Sequence, residues 1–68
     1  VSRRAALDAL IVQRGELERQ HAAAVALLEK EGPGAAALLN RRRCGSLYDE
    51  LAGVQRRIDA LLAAERAR

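Results

Sequence analysis

The sequence has no phenylalanine, tryptophan or methionine, and Tyr48 is its one aromatic residue. An aromatic-centred globular core is therefore excluded. β-Branched residues are few (Val1, Ile11, Val12, Val25, Val54 and Ile58 among the apolar ones), which excludes a sheet-based fold as well. One proline, Pro33, leaves the rest of the chain free of its strongest helix breaker. Cys44 stands alone, so no internal disulfide can form, and a single thiol fits a reducing compartment; a cytoplasmic location is the expectation. The longest apolar run, Ala22 to Leu28, falls far short of the ~20 residues that span a bilayer. The pattern of a secretory signal, a charged stretch followed by an apolar one and a small-residue cleavage site, is not seen either.

What is present is a helix composition. Ala (15), Leu (11) and Arg (11) supply 37 of the 68 residues. A core from so short a chain rarely contributes more than ~3–5 kcal/mol without a staple, and no staple is visible. The expected stabiliser is another chain, either a second copy or a helical partner.

The local signals place two helices. Ser2 suits a helix N-cap, and from Arg3 to Glu31 the helical pattern meets only Gly15. Gly32-Pro33-Gly34 then ends it, with Gly32 suited to the left-handed C′ position and Pro33 unable to donate the next helical hydrogen bond. A second helix is expected from about residue 35 to 66, with a possible kink at 44–46, where Gly45 could stop one helix and Ser46 cap the next. The similar length of the two arms favours continuity. The whole of 1–68 reads as a single helical-hairpin domain, with its turn at 32–34.

Apolar spacing gives the packing. Leu7, Leu10, Arg14, Leu17, His21, Ala24 and Leu28 alternate steps of three and four. Ala37, Asn40, Cys44, Leu47, Leu51, Val54, Ile58, Leu61 and Glu65 do the same. A 3.5-residue repeat on both arms is the seam of an antiparallel coiled coil, so the fold class is all-α, a hairpin folded on itself. Leu17, Val25, Leu47, Leu51, Val54, Ile58 and Leu61 are expected to hold it. Centring the hairpin on Pro33 sets residues whose numbers sum to about 65 opposite one another: Leu7 with Ile58, Arg14 with Leu51, Leu17 with Tyr48, His21 near Cys44. The alanine clusters at 22–24 and 35–37 flank the turn, where small residues permit close approach or leave a shallow groove.

Catalytic chemistry finds no footing in the sequence. One histidine, one cysteine and no Gly-rich phosphate loop make no nucleophile–base set, so no enzyme is expected. His21 and Cys44 are metal-binding types, yet two ligands do not complete a zinc site, and no metal or other cofactor is expected. Cys44 follows Arg41 to Arg43, a setting that could favour its thiolate and a redox response; a semi-buried inert thiol is the plainer reading. Arg14, Asn40 and Glu65 at seam positions read as polar residues that fix register at a cost in stability, and for Arg14 a second reading is a long stem that covers apolar surface.

Two functional readings remain. The seam leaves Ile11, Val12, Leu27, Leu39, Tyr48 and Leu62 without a partner, which points to a protein-interaction module that self-associates into a helix bundle or lends a face to a partner helix, as an adaptor, small chaperone or assembly factor does. Tyr48 is the best single anchor on that surface. The alternative is a basic hairpin that binds RNA or DNA. All of the net charge of +3 lies in residues 35–68, where Arg41, Arg42, Arg43, Arg56 and Arg57 are the candidate phosphate contacts, while Arg3, Arg4, Arg66 and Arg68 share the tip that holds both termini. Interleaved acids and the scarcity of aromatics for base stacking count against it, and a solvated face explains the same charges.

Overall fold

In the computed structural model the chain forms two helices, α1 (Arg3–Glu31) and α2 (Ala35–Arg66), folded back on one another into a rod of 52 × 15 × 15 Å. The structure describes residues 2–31 and 34–67, and of Ala35 and Ala36 the backbone only. The expected left-handed Gly32, the Pro33 stop and the tip residue Arg68 lie outside the described residues.

α1 begins as its sequence directs. Ser2 accepts a hydrogen bond from the Ala5 amide at its side-chain oxygen (3.1 Å), which satisfies one otherwise orphaned donor of the first turn, and its carbonyl accepts the first helical bond from the Ala6 amide (3.1 Å). α2 begins at an extended Gly34, whose carbonyl accepts from the Leu38 amide at 3.1 Å. α2 then runs unbroken through Cys44-Gly45-Ser46, so one helix does not stop and another start there. Alanine, leucine and arginine on both sides of Gly45 favour helix strongly enough to carry one glycine.

The seam buries Leu7, Leu17 and Ala24 of α1 against Ala37, Leu47, Val54 and Ile58 of α2. Leu10, Cys44, Leu51, Leu61 and Leu62 pack partly buried against that cluster. Small residues bring the helices together near the turn, where Ala24 and Ala37 are 6% and 4% exposed. Ala22 and Ala23 point outward. Two expectations are corrected. Val25 is half-buried outside the core cluster, because it stands one position beyond the seam residue Ala24. Glu65 is exposed; α1 has run out near Arg3 at that level and offers no wall to cover it.

The side chains that touch also differ from the facing pairs. Contacts across the hairpin join Arg14 to Gln55 and His21 to Tyr48, pairs whose numbers sum to 69, about one helical turn beyond the expected pairing. Helical side chains lean toward their own N-terminus, and in an antiparallel pair the two leans are opposed. Touching tips thus belong to residues about two positions further along than facing Cα atoms.

Three substitutions test this framework by thermal or denaturant unfolding. A Cβ at Gly45 meets nothing within 4 Å, so Gly45→Ala is expected to stabilise the hairpin by about 0.5–1 kcal/mol. Ser2→Ala should cost about 1 kcal/mol. Ile58→Ala, at 3% exposure, should cost about 3 kcal/mol, enough to unfold most of the isolated chain.

Candidate interaction surface

Once the seam is closed, the largest apolar side chains left in solvent are Ile11, Val12, Leu27, Leu38, Leu39 and Tyr48. Five of them are among the expected partner-facing residues. Leu62 is the exception: it stands one turn beyond Ile58, on the same side of α2, and packs partly buried against the core. Leu38 is the addition, 53% exposed. The heptad carried that signal, since Leu38 follows the seam residue Ala37 and so points away from α1.

Tyr48 is 65% exposed and borders an open groove of about 530 Å³. Arg14, Glu18 and His21 of α1 wall one side of this groove, and Tyr48, Leu51 and Gln55 of α2 the other. The His21 and Tyr48 rings stand 6.4 Å apart at 51°, a tilted arrangement in which each shields one edge of the other. His21 thus meets Tyr48 rather than approaching Cys44 alone. Among the described residues no three His, Cys, Asp or Glu side chains gather as a metal site requires.

A polar chain crosses the hairpin at this groove. Arg14 Nη1 donates to Gln55 Oε1 at 3.0 Å, Gln55 Nε2 donates to Asp59 Oδ1 at 3.0 Å, and Arg14 Nε sits 3.5 Å from Glu18 Oε1. Arg14 is therefore hydrogen-bonded across the seam, and the register-fixing reading of this residue gains a specific partner in Gln55. Asp59 takes its bond from Gln55, and on α1 Arg4 pairs with Asp8 one turn on at 3.5 Å. Near the turn, Asn40 Nδ2 donates to Glu31 Oε2 at 2.8 Å, a second tie between the helices. Neither Gln55 nor Glu31 stood out in the sequence, because a polar cross-link depends on register, which composition does not carry.

On the outer side of α1, Glu16 accepts from Arg19 and from Gln20, and these bonds, the one from Arg19 foremost, hold its carboxyl below the usual glutamate range. Arg41, Arg42, Arg43, Arg56 and Arg57 are all exposed. Consecutive helical residues project about 100° apart, so the Arg41–Arg43 run spreads around α2 instead of forming one face. Cys44, beside them, packs half-buried against the core.

No helix among the described residues is long and apolar enough to cross a membrane. Comparisons with protein-family models, with curated proteins and with solved structures find no significant match.

Two measurements address these side chains. In Gln55→Leu, Arg14 loses its cross-seam acceptor while the apolar volume is kept, and the hairpin should lose about 1 kcal/mol by denaturant unfolding. By NMR titration the Glu16 carboxyl should titrate below the ordinary glutamate midpoint and move back toward it in Arg19→Gln. Because the folded pKa is lowered, the contribution of Glu16 is present above the unfolded-state pKa and fades as pH falls through the folded one.

Proposed function

We propose that this hairpin is a non-enzymatic protein-interaction module that works through apolar helix faces, in the manner of an adaptor, small chaperone or assembly factor. The exposure of Tyr48 at 65% beside an open groove, on a chain whose own seam is already closed, carries this reading. Ile11, Val12, Leu27, Leu38 and Leu39 extend the apolar surface on other parts of the rod. Recognition would be of the helix-in-groove kind, in which side chains spaced by three and four residues enter a groove between helices. A cytoplasmic setting goes with the unpaired half-buried thiol of Cys44.

A second reading, a basic hairpin that binds RNA or DNA, draws on the exposure of Arg41, Arg42, Arg43, Arg56 and Arg57. Asp49, Glu50 and Asp59 lie among them, and the consecutive arginines diverge around the helix. These features place it second.

The test compares proteins retained by the immobilised wild-type chain with those retained by Tyr48→Glu/Leu39→Glu, both residues being exposed enough for the variant to keep its helicity. Retained species, copies of the chain included, should fall at least tenfold in the variant. Equal retention by the two would overturn the proposed surface. A gel shift with RNA and DNA at low salt, lost on replacing Arg41 to Arg43 by Gln and weakening steeply with added salt, would favour the second reading instead.

A further inference from the structure

Four apolar residues stand just outside the seam and share one heptad position. Ile11 follows Leu10, Val25 follows Ala24, Tyr48 follows Leu47 and Leu62 follows Leu61. The approximate twofold that relates antiparallel helices runs normal to the plane of the hairpin, so residues of like heptad position lie on the same side of it. All four therefore flank one face, and it is the face that carries the groove between His21 and Tyr48. Widening of the apolar stripe on the same side of both helices is the pattern of a layer in a bundle of four.

Resting on the interaction reading above, we infer that the occupant of this face is a second copy of the chain, packed antiparallel across a twofold through the groove. The area fits. One long face of the rod, about 52 by 15 Å, is similar in size to the ~800 Å² each partner contributes to a standard stable interface.

The position of the groove sets the direction. It spans Arg14 to His21 on α1 and Tyr48 to Gln55 on α2, at the middle of both Arg3–Glu31 and Ala35–Arg66. A twofold there overlaps two rods along their full 52 Å, with α1 on α1 and α2 on α2. Ile11 of one copy then comes level with Val25 of the other. Charge points the same way. Arg3, Arg4, Glu65 and Arg66 leave the terminal tip net positive and Glu29, Lys30 and Glu31 leave the turn tip net negative, so unlike tips meet only when the copies run in opposite directions. The Arg41–Arg43 run likewise comes level with Asp59 of the other copy.

Sedimentation equilibrium of the full chain, with helicity followed by circular dichroism, is the test. The wild type should dimerise by about 100 μM, Tyr48→Phe should follow it, and Tyr48→Glu should weaken dimerisation at least tenfold with helicity kept. A spin label at Ala5→Cys in a Cys44→Ala background reads the direction. Antiparallel copies place the two labels on the order of 40 Å apart, and parallel copies place them within about 20 Å. A short distance overturns the antiparallel assignment. A helical chain that stays monomeric at several hundred micromolar, yet retains other proteins through Tyr48, overturns the self-pairing and leaves the interaction reading standing. A helical chain that associates with nothing overturns both.

Discussion

Everything in this molecule depends on one narrow contact, the seam along which α1 and α2 remove leucine, isoleucine, valine and alanine side chains from water. Neither helix has another wall to lean on, since the described residues form these two helices and no further element. A fully buried aliphatic side chain contributes about 1.5–3 kcal/mol, and only seven residues of the seam fall in the buried class. With no aromatic inside, no disulfide and no third helix, the polar groups at the edge of the seam have to agree with its register or weaken it. They agree: Arg14 with Gln55, and Asn40 with Glu31, join the two helices where the apolar stripe is interrupted.

The same narrowness shapes what the hairpin can do. Two helices pressed together present a slender rod whose sides are nearly all surface. What such a rod offers is a set of long faces. Tyr48 and His21 give one of those faces a centre, with an amphipathic ring on one wall of the groove and Arg14, Glu18 and His21 on the other. The basic excess, by contrast, is wound around α2 and interleaved with acids, so it is not gathered on one face.

Much of this was legible from spacing. The two helix spans, the identity of the seam and the exposure of Ile11, Val12, Leu27, Leu39 and Tyr48 all follow from a 3.5-residue repeat, because side-chain direction in a helix is fixed by residue number alone. The repeat fails at its margins. Val25 and Leu62 stand at equivalent positions, yet Leu62 packs on the core cluster and Val25 does not. Glu65 continues the numerical pattern after the opposing helix has ended. Leu38, one position past the seam residue Ala37, points outward by the same rule.

The sequence by itself determined that the chain is helical, where it turns, and which stripe each helix buries, since propensity, capping and periodicity are local properties that need no knowledge of the other arm. Only the tertiary structure decided the axial register, and with it the pairs that meet. The opposed lean of side chains in an antiparallel pair slides contacts by about a turn, which joins His21 to Tyr48 and Arg14 to Gln55. Bond partners across a seam are settled by that slide. No residue in either helix encodes it alone.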